Sequence, residues 1–331
     1  MVYKENKRIC EGKDLSQSSL KISMLAAALQ CGFSRFIAAV LYPLHKLAKI
    51  LIYKKIYAAI GIKKAAITGG GSLAPHIDQF FEAIDVTLLN GYGLTETSPV
   101  IAARVPAENV LGTVGKPLYA TDLKVVDLES GKTVPHGSKG LVQVRGPQVM
   151  KGYHKDSLAT AKVVDKDGWL DTGDLGWIVP DIAYGPSRAC SQMLVLDGRV
   201  KDTIVLLSGE NIDPTRIEEA ALQSRYIQQI IVVGQDQRRL GALIVPNREE
   251  LQAVHASTGD AMKFIRSDLR KYITNGLTPI GPFILLSEPF TIENGLLTPT
   301  MKMRRNAIVE KYDAQINDLF RNQHHHISPS M

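Results

Sequence analysis

The sequence predicts an α/β protein with a large mixed sheet, a small β-barrel part and a smaller α+β domain at the C-terminal end. Three observations predict this fold class. Apolar runs that end in glycine alternate with helical patterns from residue 65 to about 100, as they do in parallel sheets. Short β-branched segments separated by Gly, Pro and Asp turns fill residues 112–200. After residue 201, strand and helix patterns alternate again.

Composition limits the size and the partners of the protein. The 331 residues, 45% of them hydrophobic, can bury a large core in two or more domains. The net charge of +6 is local: residues 1–64 hold twelve Lys or Arg and three acidic residues, so the rest holds 39 − 12 = 27 basic and 33 − 3 = 30 acidic residues. This distribution argues against a nucleic-acid partner. Three widely spaced cysteines favour free thiols in a reducing compartment.

Residues 33–62 form a basic amphipathic stretch. Leu44, Leu47 and Leu51 fall near one helical face, with lysines away from it. Two interpretations stay open: peripheral contact with an anionic membrane, or a partly buried helix whose lysines reach solvent. No apolar run approaches the roughly 18 residues of a spanning helix, and the residues after Met1 do not form a recognisable secretory signal. We therefore expect this sequence to be part of a longer protein.

The first alternating block begins at residue 65. A short buried strand is predicted at Ala65–Thr68, and it runs into the glycines of Gly69–Gly71. Pro75 then opens a helix to Ala83, and residues 86–89 form the next strand. Because ligands of parallel sheets bind at the carboxyl ends of the strands, the glycine loop is a candidate for close backbone approach to a flat ligand.

The stretch Asn90–Pro99 combines two glycines, an aromatic ring, a hydroxyl and a carboxylate. Gly91 and Gly93 are predicted to turn the backbone tightly, and Thr95 lies beside Glu96. An aromatic face can stack on a base, a hydroxyl can reach phosphate oxygens, and a carboxylate can hold Mg²⁺ that the phosphates already coordinate. The pattern suits a nucleotide, and a plain glycine-rich turn is the alternative.

Residues 112–200 are predicted to form a small β-barrel or a distorted sheet, with strands at 122–126, 141–145 and 194–196. Inside this block, Asp171 and Asp174 flank a predicted tight turn. A carboxylate at a strand end can accept both hydroxyls of a ribose. A simple Asx turn is the alternative interpretation.

The last block predicts a separate α+β domain, with Lys201 as its hinge. Helices are expected from Pro214 to about Arg225 and from about Arg248. A loop rich in turn formers holds Lys302 ahead of a final helix. The histidine tail at 324–326 is interpreted as disorder rather than a metal site, because no cysteine or carboxylate completes a ligand set. Strands are predicted at 203–207, 227–233, 241–245 and 283–286.

Taken together, six ordered blocks resemble the adenylate-forming (AMP-binding) acyl-activating enzymes. The match covers nearly the whole chain, as the C-terminal half of a family member. Finer features at 145–153 and 208–211 are similar to the plastid long-chain acyl-[acyl-carrier-protein] synthetases of plants, relatives of the long-chain acyl-CoA synthetases. The six blocks are Gly69-Gly70-Gly71-Ser72, Gly91 to Thr97, Gly112-Thr113-Val114-Gly115, Thr172-Gly173-Asp174, Gly198 to Asp202 and Thr298 to Lys302.

This resemblance implies the fold and the reaction. Residues 65–200 would be the nucleotide-binding remnant of a large mixed-sheet adenylation domain, with 1–64 as its basic helical segment and 201–331 as a mobile C-terminal domain. A long-chain fatty carboxylate attacks the α-phosphate of ATP, which gives acyl-adenylate and pyrophosphate. The phosphopantetheine thiol of coenzyme A (CoA) or acyl carrier protein then displaces AMP. Chloroplast localisation is also implied.

The resemblance further implies a role for each matched residue. Lys302 bridges the carboxylate and the α-phosphate, and Lys201 is the pivot that moves the small domain between the two steps. Catalytic roles therefore fall to Lys302, Thr95 and Glu96. The implied nucleotide site consists of Gly69, Gly70 and Gly71 as the adenine and acyl wall, Tyr92 and Gly93 at adenine, Thr95 at phosphate, Glu96 as the Mg²⁺ ligand, and Asp174 with Arg199 at the ribose.

One feature of the family is missing from the sequence. Family members carry a Ser/Thr/Gly-rich phosphate loop ending in Pro-Lys-Gly upstream of the Gly69 block, and no such stretch occurs here. Residues 112–116 are no substitute, because Pro117 stands where a Walker-type loop needs Ser or Thr. Three functions stay open: a long-chain fatty acid ligase that is incomplete in this chain, a ligase for another acid such as an aryl acid, or a non-catalytic fragment.

Overall fold

A computed structural model describes residues 40–62, 64–181, 189–255, 257–274 and 276–321. The chain divides into two compact units, Met1–Asp197 and Gly198–Met331, and each is described by itself. The division falls just before Lys201. Residues 33–39 of the predicted amphipathic stretch and the histidine tail at 324–326 lie outside the described residues.

A helical segment opens the described part of the first unit. Residues 40–48 are helical, Lys49–Tyr53 form a π-helical turn, and α1 spans Lys54–Ile60. Gly61 ends α1 in the left-handed conformation, with φ 71°. The leucines of the predicted apolar face are more than half exposed. The interpretation of this stretch as a partly buried helix is therefore wrong for these residues. Among the described residues, no helix is long and apolar enough to cross a bilayer.

The first sheet has the order β1-β2-β3-β4, in which only the β1–β2 pair is parallel. The predicted strand and helix at Ala65–Thr68 and Pro75–Ala83 are confirmed as β1 and α2. The prediction that β1 is buried is wrong within the described residues, because Ile67 is 84% exposed on this edge strand. The other strands are β2 Thr87–Gly93, β3 Val100–Ala103 and β4 Lys116–Pro117.

The predicted tight turn around Gly91 and Gly93 is wrong. β2 continues through both glycines to Gly93, and Gly91 pairs with Ala103 on the antiparallel strand β3. The reason for glycine at 93 is close packing: a Cβ atom there would lie 1.8 Å from the carbonyl oxygen of Pro99. The real reversal comes later, at the 3₁₀ turn Thr95–Thr97, which ends with Ser98 at φ 55°.

Of the two alternatives for residues 112–200, the described residues form an open sheet and not a closed barrel, with the order β5-β6-β7-β8. Thr172 and Gly173 form a bulge inside β7 and not a turn between strands, because Leu141 pairs with Leu175 while Gln143 pairs with Asp171. The strands are β5 Asp122–Val126, β6 Gly140–Arg145, β7 Leu170–Ile178 and β8 Leu194–Arg199, and α3 spans Ser157–Val163.

The core of the first unit joins its two sheets. Ile101 of the first sheet packs in one cluster with Val142, Val144 and Leu194 of the second, and all four are fully buried. Arg104 and Asp78 are also buried, as a two-pronged ion pair with nitrogen–oxygen distances of 3.0 and 2.9 Å. This pair attaches α2 to the end of β3.

The second unit is α+β, as predicted. Strands β11 (Ile227–Val233), β12 (Leu240–Pro246) and β13 (Ile280–Leu285) form a three-stranded sheet in that order, with β12 and β13 parallel. The predicted strand at 203–207 is shorter in the structure and spans the two residues Ile204–Val205. The helix from Pro214 ends at Ala221 rather than near Arg225. Leu222 and Ser224 leave the helix in a turn closed by hydrogen bonds to Glu218 and Ala221. In place of one helix from Arg248 there are two, α5 (Arg248–Ala253) and α6 (Thr258–Tyr272).

The second unit has its own hydrophobic core, built from its strands and helices. Its core centres on Ile230, Leu240, Ile244 and Ile265, which are completely buried. The strands and helices are β9 Ile204–Val205, β10 Asn211–Ile212, α4 Pro214–Ala221, β11 Ile227–Val233, β12 Leu240–Pro246, α5 Arg248–Ala253, α6 Thr258–Tyr272, β13 Ile280–Leu285, α7 Arg305–Lys311 and α8 Asp313–Arg321.

Candidate functional site

The glycine loop after β1 lies against the backbone of β2. Because β1 and β2 are parallel with Thr68 opposite Asn90, the chain that leaves β1 passes beside Gly91. A Cβ atom at Gly69 would lie 2.9 Å from the carbonyl oxygen of Gly91, so only glycine allows this approach. Gly70 has a φ of 83°, and nothing stands within 4 Å of a Cβ at Gly70 or Gly71. The loop is therefore bare backbone at the carboxyl end of a parallel strand.

Tyr92 and Asp174 are brought into direct contact. The Tyr92 hydroxyl donates a hydrogen bond of 2.6 Å to Asp174 Oδ2, although the two residues are 82 positions apart. Both are buried, with 8% and 7% of their surface exposed. The bulge in β7 turns Asp174 toward β2: Thr172 Oγ1 donates to the Val142 carbonyl and accepts from the Asp174 amide. Two predicted nucleotide residues thus form one hydrogen-bonded pair.

The turn Thr95–Thr97 presents the predicted hydroxyl and carboxylate. Thr97 is fully buried, and its hydroxyl accepts from the Leu94 amide at 3.0 Å and donates to a carbonyl within the same turn. Thr95 is exposed, and Glu96 is partly buried. A buried threonine therefore holds the turn while its neighbours face outward. Thr97 is the last residue of the sequence block Gly91 to Thr97, and the sequence pattern predicts no role for its side chain.

Tyr153 is a contact of Glu96 that sequence reasoning did not assign. Its hydroxyl donates to Glu96 Oε1 at 2.9 Å, and the Met150 amide donates to the Glu96 carbonyl at 2.8 Å. The hydrogen bond to Glu96 raises the pKa of Tyr153 above its ordinary value. A separation of 57 residues leaves no local pattern that joins the two side chains. Only the fold brings them together.

The donor set around Glu96 fits Mg²⁺ that arrives with a nucleotide. Among the described residues, no group of three or more His, Cys, Asp or Glu side chains is arranged to hold a metal ion. Glu96 supplies one carboxylate, and one of its oxygens already accepts from Tyr153. Mg²⁺ is commonly held by one or two carboxylates together with substrate phosphates and water. The arrangement therefore suits a shared metal rather than one that the protein binds alone.

The block Gly112–Gly115 is structural. Arg104 Nε donates to the Thr113 carbonyl at 2.6 Å, and the Thr113 hydroxyl accepts from the Gly115 amide at 3.2 Å. Gly115 has a φ of 81°, and a Cβ there would lie 2.0 Å from the Ala103 carbonyl oxygen. The motif packs the chain against β3 and does not line a phosphate loop.

Three predicted residues belong to the second unit. The Arg199 carbonyl accepts from the Thr203 amide and hydroxyl at 3.1 and 2.9 Å, and exposed Lys201 lies in the 3₁₀ turn Val200–Asp202. Lys302 is also exposed. Its backbone amide donates to Thr298 Oγ1 at 3.0 Å, and its carbonyl accepts from the Thr298 amide at 2.8 Å.

An open cavity of about 450 Å³ lies elsewhere in the second unit. Arg266, Phe283 and Asp318 are among its lining residues, and none of the predicted site residues lines it. The geometry of the glycine loop, the Tyr92–Asp174 pair and the Glu96 turn, and not this cavity, marks the candidate site in the first unit.

Comparison with known families gives two matches. Residues 16–154 match the AMP-binding enzyme family, and residues 201–278 match the AMP-binding enzyme C-terminal domain. The first match contains the glycine loop, Tyr92 and Glu96. The second begins at Lys201.

Individual known proteins that match this chain are ligases of long-chain fatty acids. The chain is 52% identical to a chloroplastic long-chain-fatty-acid–[acyl-carrier-protein] ligase of Arabidopsis thaliana, over 97% of this chain and 44% of that protein. It is 32% identical to the human long-chain-fatty-acid–CoA ligase 1, over 82% of this chain and 40% of that protein. The chain thus spans less than half the length of these curated relatives.

Solved structures share the fold. The adenylation domain of a carboxylate reductase from Mycobacterium chelonae superposes with a TM-score of 0.65 at 27% identity, over 77% of this chain and 38% of that chain.

Proposed function

The chain belongs to the AMP-binding enzyme family, and from this premise we propose that it serves the ATP-dependent activation of a long-chain fatty acid. The fatty carboxylate attacks the α-phosphate of ATP, pyrophosphate leaves, and the acyl-adenylate is then attacked by a phosphopantetheine thiol with loss of AMP. The protein is thus an acid–thiol ligase. A chloroplast location is part of the proposal, supported by the chloroplastic Arabidopsis relative.

The Tyr92–Asp174 hydrogen bond supports this function best. The two side chains assigned to adenine and ribose meet at 2.6 Å from separate sheets. They do so beside the point where Gly69 approaches Gly91. A strand end with bare backbone and a fixed carboxylate is a typical place for a nucleoside. The roles of Tyr92, Gly93 and Arg199 at the nucleoside rest on this interpretation.

The proposed phosphate end of the site is the turn Thr95–Thr97. Thr95 contacts phosphate, and Glu96 holds Mg²⁺ together with the nucleotide phosphates. When bound, Mg²⁺ neutralises charge on the phosphate oxygens. Lys302 adds a mobile positive charge at the carboxylate and the α-phosphate, where negative charge builds up in the transition state. Lys201 is the proposed pivot between the two half-reactions.

Nucleotide binding and pyrophosphate exchange test the function. The purified 331-residue chain should bind AMP. Any pyrophosphate exchange, which the missing phosphate loop should slow, should depend on palmitate and not on coumarate. Asp174→Ala should weaken nucleotide binding by about tenfold or more, because a hydrogen bond to a charged group is lost. Asp127→Ala, which changes an exposed carboxylate in the same unit, is the matched control. Exchange with coumarate would favour an aryl-acid ligase, and neither binding nor exchange would favour a non-catalytic fragment.

The role of Lys302 is tested by separating the half-reactions. Lys302→Ala should abolish adenylate formation and leave thioester formation from supplied palmitoyl-adenylate intact. Lys263→Ala, an 81% exposed lysine of the same unit, controls for loss of charge. Equal loss of both half-reactions would contradict the assignment.

The thiol acceptor is proposed to be acyl carrier protein, with coenzyme A as the alternative. The supporting observation is the higher identity to the acyl-carrier-protein ligase, 52% against 32% for the human CoA ligase. Thioester formation from palmitoyl-adenylate, measured with each thiol in turn, separates the two acceptors. A clear preference for coenzyme A would overturn this part of the proposal.

Membrane contact through residues 33–62 is a second proposal, which the exposed apolar side chains favour. Leu44, Leu47 and Leu51 are 63%, 53% and 55% exposed, with exposed lysines nearby. Such a face suits an anionic lipid surface. Replacing the three leucines by serine should abolish flotation with anionic liposomes, whereas Leu158→Ser, which changes a 79% exposed leucine, should not. Equal flotation with anionic and with neutral liposomes would contradict the proposed contact with an anionic membrane.

A further inference from the structure

An ion pair between partly buried Arg305 and buried Glu218 lies at the base of the Lys302 loop in the second unit. Arg305, the first residue of α7, donates from Nη2 to both carboxylate oxygens of Glu218 at 2.7 and 2.8 Å. Its Nη1 donates to the Val232 carbonyl at 2.9 Å. Glu218 Oε1 also accepts from the Val232 amide at 2.7 Å. One guanidinium thus joins α7 to α4 and to the end of β11.

The Lys302 loop is a short hairpin with a defined base. Leu297 forms a bridge with Met303, and the Arg304 amide donates to the Leu296 carbonyl at 2.9 Å. Leu296 and Leu297 are buried in a cluster with Ile308 of α7. Met301, beside Lys302 at the tip, has a φ of 62°. We call residues 296–304 the Lys302 hairpin.

Among the described residues, the contacts that attach this hairpin to the core lie at its base. The hydrogen bonds nearer its tip join hairpin residues to one another: Thr298 with Lys302, Thr298 with Met301, and Thr298 with Thr300. They give the hairpin its shape but do not orient it on the domain. Orientation comes from the buried leucines and from Arg305, which directly follows the hairpin in the chain.

We infer that Glu218 is a positioning residue for Lys302: it holds Arg305, and Arg305 sets the direction in which the Lys302 hairpin leaves the domain. This inference rests on the proposed role of Lys302 and deepens it. Glu218 is buried and is hydrogen-bonded to Arg305 and to the Val232 amide, so its effect on Lys302 passes through the first residue of α7.

The chemistry of the pair supports a role in positioning. Burying both charges costs desolvation energy that the ion pair repays only in part, so such a pair is a weak source of overall stability. The pair instead fixes the relative orientation of the segments that it joins. A planar guanidinium that bonds two carboxylate oxygens and a carbonyl allows one arrangement. Burial raises the pKa of Glu218, and the charge of Arg305 opposes that rise.

Amide hydrogen exchange on the full chain tests the inference without requiring activity. Glu218→Gln removes the charge but keeps the shape, so Arg305 loses one acceptor oxygen. Exchange protection in residues 298–304 should fall by about tenfold or more, while protection in β12 stays within about twofold of the wild type. Glu310→Gln, which changes an exposed carboxylate on α7 itself, is the matched control and should change neither segment.

A second variant keeps the test decisive if Glu218→Gln folds poorly. Arg305→Lys retains the positive charge but cannot reach two carboxylate oxygens and a carbonyl together, so it should loosen the hairpin to a similar extent. Equal loss of protection in β12 and in the hairpin, in either variant, would show a general effect on stability and overturn the inference. Unchanged protection in the hairpin would overturn it as well.

Activity adds a readout that separates this inference from the proposed function. In the adenylation half-reaction, Glu218→Gln should lower kcat by about tenfold with an unchanged KM for ATP, because misplacement of Lys302 affects the transition state and not nucleotide binding. A raised KM with unchanged kcat would count against positioning. Absence of adenylation in the wild-type chain would be explained by its missing phosphate loop, and the amide exchange experiment on the hairpin would then decide the inference about Glu218.

Discussion

At the scale of single residues, glycines and the buried Arg104–Asp78 ion pair decide the local geometry of the first unit. The sequence suggested that Gly91 and Gly93 turn the backbone, whereas both lie in an extended strand. Glycine is needed at 93 because the carbonyl oxygen of Pro99 occupies the space of a side chain. Whether a glycine marks a turn or a close backbone contact depends on the residues of the following loop that pack against it. A local sequence pattern carries no information about that packing.

Replacing Gly93 by alanine should destabilise the first unit by about 1–3 kcal/mol, because the added carbon must displace backbone and not a flexible side chain. The new Cβ would lie 1.8 Å from the Pro99 carbonyl oxygen. Gly71→Ala is the matched control, since nothing lies within 4 Å of its Cβ. Urea unfolding followed by tryptophan fluorescence measures both variants. Equal midpoints for the two would contradict the close approach.

Arg104 carries a second residue-level prediction. It pairs with Asp78 through two hydrogen bonds and also donates to the Thr113 carbonyl. Arg104→Met should cost about 3–5 kcal/mol, because it leaves a buried carboxylate uncompensated. The double variant Arg104→Met with Asp78→Leu should recover part of this loss, since both charges are then absent. Denaturant unfolding of the three proteins checks the order, and a double variant as unstable as the single one would contradict it.

At the scale of elements, the helical segment at 40–60 and the strand β1 show what local pattern leaves undetermined. Their types match the sequence patterns, but their apolar side chains are exposed among the described residues. Among the described residues, three polar contacts hold the segment to the residues that follow α2. Lys49 Nζ and His45 Nε2 lie 2.6 and 3.7 Å from Asp85 Oδ2, and the Tyr57 hydroxyl donates to the Ile84 carbonyl.

The Lys49–Asp85 contact should make the attachment of this segment sensitive to acid. The hydrogen bond from Lys49 is the largest cause that lowers the pKa of Asp85 below its ordinary 3.8. A lowered folded-state pKa gives stability that is present above 3.8 and is lost as the pH falls through the folded-state value. Amide exchange in residues 49–57, corrected for the intrinsic rate, should therefore show constant protection from pH 7 to about 4 and a loss below that.

Asp85→Asn is the control for this pH effect. Without the carboxylate, protection of the segment should be low at every pH, and the step below about pH 4 should disappear. A step of the same size in the variant would assign the acid sensitivity to another group.

At the scale of the whole molecule, the chain consists of two compact units, and each should unfold with its own transition. The two tryptophans of the chain, Trp169 and Trp177, both lie in the first unit. Tryptophan fluorescence in guanidinium should therefore report the first unit alone, while amide exchange in β12 reports the second. Arg104→Met should shift the fluorescence transition and leave the exchange of β12 unchanged. A common shift of both would show one cooperative unit.

The sequence by itself determined the family and the order of most elements, and it supplied the residues that we propose for the site. The blocks around Gly69, Tyr92, Asp174 and Lys302 could be recognised because each is a short run of residues with its own pattern. Local periodicity also predicted β1 and α2 at their observed bounds. These features depend on neighbours in the chain, which a linear pattern records.

Only the tertiary structure decided which of these residues meet. The Tyr92–Asp174 bond, the Tyr153 contact to Glu96 and the Glu218–Arg305 pair join positions 82, 57 and 87 residues apart. The extension of β2 through Gly93 and the bulge in β7 likewise depend on strand pairing. The physical reason is that hydrogen bonding and packing between distant segments set backbone direction and side-chain partners, and neither leaves a signal in the local sequence.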